Sequence, residues 1–432
     1  MPVNLAQQSP LSGTDYFQLV LDKHYRAYGT LGNVSRIVIE LSSKLELTHL
    51  QQRVNSLEIF NWMQHLKMMR SSIWSIPFWK SISNNELISI REHFSAAIPE
   101  SVLGRDLQPN SGNLFFFDLI QTPEAKSILV FSVHHSLMDS KGVKLLMQLL
   151  ANTAIDEAKL NYFPDENRGD YSLYFKLKKS FEAKHFVESF NFKKMATLLR
   201  STPKLKHHSS YHFIEFTPDE ANIIDKNSKL NGSVFGNSLF YLSCISRAIN
   251  TILEKRGTGV GDFWIPVPQN QRRRGGDGTL LSNQISFMFF RLAQNKLGSI
   301  KACTADLSNQ MKQQIAASFP QTYSIMMELF RRVPLPFYSF LIKNASKGAT
   351  ASYSFSDIGE SWEGTDTFME IPLQRVSHLP ANPYIPGFTV VVSKYKGALK
   401  FTLAYIDEAI TLSEVQVFEQ FLRNDLLQIS TK

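Results

Sequence analysis

At 432 residues the chain exceeds what one hydrophobic core usually organises, so two units of about 200 residues each are expected. Hydrophobic residues make up 43%, enough to fill such cores, yet no apolar run approaches the ~18 residues that span a bilayer, and MPVNLAQQSPLSG lacks the basic-then-apolar order of a signal peptide; a cytoplasmic protein is expected. The net charge of +8 comes with no recognised nucleic-acid module, and Cys244 and Cys303 lie in no CxxC or Cys/His cluster, which argues against nucleic-acid binding, a disulfide framework and a metal site.

In chain order, Tyr16, Phe17, Leu19, Val20 and Leu21 mark a first helix, and 34–41 alternates as a strand leading through 42–45 into a helix over 48–60. Strands are expected over 74–79 and 114–119, with a helix over 84–97 between them, where apolar residues recur at helical spacing. The most informative stretch follows at 127–150, SILVFSVHHSLMDSKGVKLLMQLL. Ile128, Leu129, Val130, Phe131 and Val133 read as a buried strand; Asp139 or Ser140 caps a helix carried by Val143, Leu145, Leu146, Leu149 and Leu150. His134 and His135 therefore fall at a strand-to-helix junction, where a base is held in one orientation with a ring nitrogen open to substrate. An adjacent histidine pair is usually packing or solvated surface. A pair that closes an apolar strand, with an aspartate four residues beyond the second histidine to organise the turn, points to chemistry.

From 171 to 206 the composition shifts. Eight lysines and Arg200 face only Glu182 and Glu188, and Phe175, Phe181, Phe186, Phe190 and Phe192 interleave with them without clean helical period. The segment reads either as a solvated linker helix or as a basic surface for an acidic carrier protein, coenzyme A phosphates or an anionic membrane contacted through Lys176 to Lys206. Beyond it come a strand at 211–216, helices over 218–227 and 233–253, a strand ending in Pro266-Val267-Pro268-Gln269-Asn270-Gln271-Arg272-Arg273-Arg274, and a strand within 280–292. A helix over 300–318 precedes an apolar segment, 325–342, broken by Pro334 and Pro336; 351–359 is a late strand, 387–405 a hairpin turning at Lys396-Gly397, and 412–427 a closing amphipathic helix. The 32 phenylalanines suit a Phe-rich core or an apolar tunnel, the core being the simpler reading.

At His134, His135 and Asp139 the sequence resembles the acyltransferases related to chloramphenicol acetyltransferase, whose signature is His-His-x-x-x-Asp-Gly and which include wax ester and diacylglycerol synthases, plant alcohol acyltransferases and peptide-synthetase condensation domains. The resemblance implies an α/β protein of two chloramphenicol acetyltransferase-like sandwich domains with a tunnel between them: 1–170 carrying the motif, 171–206 a basic linker, 207–432 the second half. It implies a catalytic set of His135, Asp139 and His134, with His135 as general base and Asp139 as a structural carboxylate; substitution of His134 is expected mainly to loosen the loop. An arginine near the second strand pairs with the motif aspartate in plant members; Arg272 takes that role here, with Arg273 and Arg274 as competitors. Asn283, Ser286 and Ser356 are candidate oxyanion or substrate donors, and Asp357-x-Gly359 is what remains of the plant Asp-Phe-Gly-Trp-Gly strand, Glu360 and Ser361 replacing the rest. That loss disfavours the plant subgroup and leaves the chain nearer wax ester synthase-like and condensation-like members, whose Pro-Val and Asn strands Pro266-Val267 and Asn283-Gln284-Ile285-Ser286 resemble, although Ser140 stands for the motif glycine, Asn270 for their usual arginine and Ser282 for their glycine.

The implied activity is transfer of an acyl group from acyl-CoA or an acyl carrier protein to the hydroxyl of a hydrophobic acceptor, with no cofactor beyond the donor. Because there is no Gly-x-Ser-x-Gly elbow and neither cysteine has a nearby histidine, direct transfer is favoured over an acyl-enzyme. An amide-forming condensation-type enzyme acting on an amine, and a non-catalytic relative that binds acyl chains or carriers, are the alternatives.

Overall fold

The strand Val34–Leu41 buries six of its eight residues and Ser127–His134 buries seven of eight. Strands covered on both faces belong inside a sheet, and these two pair antiparallel at the centre of six strands. Their sheet runs Thr367–Phe368, Ile371–Leu379, Val34–Leu41, Ser127–His134, Phe115–Gln121, Ile90–Phe94. In this computed structural model the described residues are 8–82, 87–152, 156–162, 171–189, 195–200, 209–258, 261–272, 280–345 and 350–427.

A second sheet runs Ser354–Glu360, Phe388–Tyr395, Ala398–Tyr405, Ser210–Phe216, with helices Pro218–Leu230, Ser238–Lys255 and Leu412–Leu427 beside it. The chain is therefore two α/β units, each with its own core. The rings of Phe60, Phe115, Phe117 and Phe131 pack together in the first; Phe216 and Tyr241 pack on Phe401 in the second. Sequence position does not divide the units cleanly, because Ile371–Leu379 crosses back to pair with Val34–Leu41. The hairpin Phe263–Asn270 and Ile285–Leu292 also reaches the first unit, where the Thr14 hydroxyl donates to Ile285 O at 3.0 Å.

Several expected elements differ. The helix expected over 84–97 is instead the edge strand Ile90–Phe94, parallel to Phe115–Gln121; buried Ile88 and Ile90 fit a two-residue alternation as well as helical spacing, and the sheet's hydrogen bonds decide. Residues 83–86 lie outside the described set. The 48–60 helix breaks at extended, buried Leu57 into Leu47–Ser56 and Glu58–Gln64. The expected 74–79 strand is Phe78–Ser81, because Ser72 and Ser75 close a turn and Pro77 has no N–H to give. The long second-half helix starts at Ser238, after Gly236 at φ 83°. Pro334 splits the late apolar segment into Phe319–Phe330 and Leu335–Ala345. Lys396 and Gly397, both at positive φ, make the hairpin turn where it was expected.

Candidate active site

Successive residues of an extended chain point to opposite sides, so His134 and His135 separate at the end of their strand. His134 turns inward and is fully buried. Its Nδ1 accepts from the Ser136 N–H at 3.2 Å and lies 2.7 Å from the Ser136 hydroxyl, while Nε2 sits 3.1 Å from Asp22 Oδ1, off the line of a well-aligned hydrogen bond. Burial pushes the Asp22 carboxyl up, but His134 and the Arg26 guanidinium outweigh it and hold the carboxyl below the usual range. Asp22 also accepts the Asn33 N–H at 2.8 Å, and Asn33 O in turn accepts the His135 N–H at 2.8 Å.

His135 faces a cavity of about 1390 Å³ between the two units. Its Nδ1 is buried with no hydrogen-bond partner among the described residues, so Nε2 is the nitrogen presented to the cavity. Apolar side chains dominate the walls: Phe17, Val133, Trp264, Phe287, Phe289 and Tyr323 are examples. Phenylalanines thus build the cores and the cavity alike. Burial drives the imidazole below its ordinary value, against the opposing pull of its own carbonyl, the Asp139 charge and the Asn283 side chain. The imidazole is therefore neutral at pH 7. If it accepts a proton in turnover, the acid limb of a kcat/KM pH profile is expected below pH ~6.5, the ordinary histidine value. A limb at pH 7 or above would show that another group titrates.

Asp139 caps the helix Ser140–Ala151, accepting the Gly142 N–H at 3.0 Å. The Arg272 guanidinium forks onto it, Nη1 to Oδ2 at 2.8 Å and Nη2 to Oδ1 at 2.9 Å, and the Gln284 N–H adds a further bond at 2.9 Å. Arg272 also donates to Leu280 O and Ser282 O, and Asn270 Oδ1 accepts the Arg272 N–H at 3.0 Å, so the asparagine found in place of an arginine shapes this turn. Arg273 and Arg274 lie outside the described residues.

Gly142, two residues beyond the position the motif gives to glycine, is held to glycine by packing: a Cβ there would stand 2.0 Å from Leu281 O. Gly142→Ala is expected to destabilise the fold by ~1–3 kcal/mol through overpacking against backbone. A lowered urea midpoint at unchanged slope would show it, and an unchanged midpoint would contradict it.

The remaining candidates divide. Ser356 and Asp357 line the cavity, Asp357 also accepting from the Ser238 hydroxyl at 2.6 Å. Asn283 is no substrate donor in this arrangement, because its Nδ2 is already committed to Asp15 Oδ1 at 2.9 Å and His135 O at 2.8 Å. It positions the His135 backbone. Ser286 is likewise displaced: Ile285 and Phe287 take the cavity side of their strand, and Ser286 donates to Pro320 O at 2.6 Å on the opposite face. Asp15, pushed up to about 7 chiefly by burial, Asp22 and Asn33 were not among the candidates. The Ser12/Asp15 capping box was the one local signal. His378 was also missed. It lines the cavity, is buried, and is held neutral at about 3 by burial and by the charges of Lys144 and Lys400. The basic helix, Leu173–Ser189, contributes Leu177, Phe181 and Lys184 to the cavity wall; Lys193, Lys194, Lys204 and Lys206 lie outside the described residues.

No family model and no curated protein matches the chain in sequence. Solved structures match its fold. Trichothecene 15-O-acetyltransferase TRI3 from Fusarium sporotrichioides superposes with TM-score 0.71 at 13% identity, over 97% of this chain and 95% of that one. The fold is that of the condensation-domain acyltransferases. The first condensation domain of the calcium-dependent antibiotic synthetase aligns with TM-score 0.68 at 11% identity over 98% and 97% of the two chains. The starter condensation domain of rhizomide synthetase, solved with C8-CoA, aligns at 0.66 and 13% over 98% and 94%. This is the chloramphenicol acetyltransferase-like architecture in its two-unit form, with His135 of this chain facing the cavity between the units.

Proposed function

We propose that the chain transfers an acyl group from a thioester donor to the hydroxyl of a hydrophobic acceptor, with His135 as general base. The observation that carries this reading is a neutral imidazole, fixed through its own N–H and C=O, facing a large apolar cavity. His135 removes the acceptor's hydroxyl proton as the oxygen attacks the thioester carbonyl; the tetrahedral oxyanion then collapses, the C–S bond breaks, and the proton held by His135 passes to the departing thiolate. Apolar walls support this by excluding the water that would hydrolyse the donor. An acyl-enzyme through cysteine is disfavoured, since Cys244 and Cys303 are both buried, the Cys244 thiol is raised well above its ordinary value and Cys303 is raised to about 11.

The donor is acyl-CoA or an acyl carrier protein. A neighbour solved with C8-CoA favours the former, and the antibiotic-synthetase condensation domain keeps amide formation on a carrier-bound amine as the second reading. Mass spectrometry of the purified chain with acyl-CoAs against a panel of alcohols and amines tests both. Ester product with release of free thiol, absent in His135→Ala, is the expected result. Amide product alone selects the second reading, and no product above the mutant's background would overturn acyl transfer.

A further inference from the structure

The helix Leu173–Ser189 has two apolar faces. Ala183, Phe186 and Val187 pack inward, whereas Leu173, Tyr174, Leu177 and Phe181 recur at helical spacing on the outer side, Tyr174 at 78% and Phe181 at 69% exposure. Leu177 and Phe181 at once line the cavity and face solvent, which puts this helix at the cavity's mouth. A second wall is the helix Leu335–Ala345. Tyr338, Leu341 and Ile342 line the cavity from it, while the stacked rings of Phe337 and Phe340 project outward, half exposed.

Beside that helix lies a third exposed apolar group, Ile73 and Trp74, at 69% and 62% exposure. One guanidinium ties the two together. Arg70 donates to Ile73 O at 2.5 Å and to Arg331 O and Arg332 O, at 3.0 and 3.3 Å, in the turn that begins the Leu335–Ala345 helix. The segments carrying these groups share a charge pattern. Residues 59–85, 171–181 and 329–356 hold lysines and arginines and not one aspartate or glutamate.

Exposed Trp and Phe side chains set among a surplus of basic residues, of which Lys179 pairs with Glu182 and Arg331 with Glu328, match an anionic lipid interface, in which aromatic rings sit at headgroup level and lysines meet negative charge. We propose that this face docks the protein on an anionic membrane surface, with the cavity mouth turned to the lipid. Among the described residues no helix is long and apolar enough to cross a membrane, so the contact is peripheral. The inference leaves the chemistry at His135 untouched. Its consequence is a route by which an apolar acceptor enters the cavity without crossing water.

Binding is read without turnover, so its failure is separable from failure of the acyl-transfer reading. Trp74 is the one exposed tryptophan of the chain's five, which makes intrinsic fluorescence a local reporter. The full chain is titrated with phosphatidylcholine vesicles containing about 30% phosphatidylglycerol, and with phosphatidylcholine alone. A blue shift and co-sedimentation are expected with the anionic vesicles, weakening as salt is raised. Phe337→Ser/Phe340→Ser, with Trp74 retained as reporter, should lower partitioning about tenfold or more, and Lys176→Ser/Lys178→Ser roughly fivefold per lysine. All four side chains are partly or largely exposed, so the unfolding midpoint should hold. Equal partitioning of wild type and variants, or none by wild type, would overturn the proposal. Retention of an acidic carrier protein in place of vesicles, lost in the same variants, would assign the face to that partner and overturn the lipid docking.

Discussion

His135→Ala is expected to lower kcat/KM by roughly 10²–10⁴, the usual contribution of a positioned general base. The fold should survive the change. Among the described residues the ring accepts no hydrogen bond that its removal would strand, and the backbone hydrogen bonds that hold the residue, from His135 N to Asn33 O and from Asn283 Nδ2 to His135 O, do not depend on the side chain. His134→Ala makes the contrast. That side chain is fully buried between Ser136 and Asp22, so its removal opens a cavity, strips a partner from a carboxylate and should lower the unfolding midpoint as well as activity. Thermal unfolding measured beside turnover separates the two. Near wild-type turnover in His135→Ala would sink the catalytic assignment.

The parts of this site that are local in sequence were legible there. A β-rich apolar run, two polar residues and a capped amphipathic helix are short-range signals, and they locate His134, His135 and Asp139 without the fold. Arg272 lies 133 residues from Asp139 and was reached only through resemblance, since three adjacent arginines look alike in a sequence. Asn283 was named for the wrong task because its partners, Asp15 and His135 O, are 268 and 148 residues away. Ser286 failed on a finer point. Strand alternation restricts it to one face, but which face meets the cavity is set by packing: its hydroxyl meets Pro320 O and leaves Ile285 and Phe287 to line the wall. The basic helix defeated periodicity for a physical reason too, since a helix with apolar residues both on its packed side and at a cavity mouth has no single polar face.

Removing the carboxylate of Asp139 is expected to cost more stability than any other single change at the site. Both Asp139 and Arg272 side chains are only 4% exposed, so each is the other's compensation for burial. The carboxylate receives both guanidinium nitrogens and the Gly142 and Gln284 N–H groups, and so caps the motif helix while clamping the hairpin of the second unit onto the loop of the first. Asp139→Ala leaves a buried guanidinium without its counter-charge, a loss of about 3–5 kcal/mol. Asp139→Asn keeps an acceptor for the cap and should cost less. Arg272→Leu should reproduce much of the Asp139→Ala loss, since it strands the same carboxylate and frees the carbonyls of Leu280 and Ser282. Turnover should fall with stability in each, because the displaced loop carries His135. The discriminating measurement is a double-mutant cycle on unfolding free energy, in which a pair in direct contact couples by ~0.5–3 kcal/mol. With two short charge-assisted bonds between the partners, coupling in the upper part of that range is expected, and a value below ~0.5 kcal/mol would mean that Asp139 is held by its backbone donors rather than by Arg272.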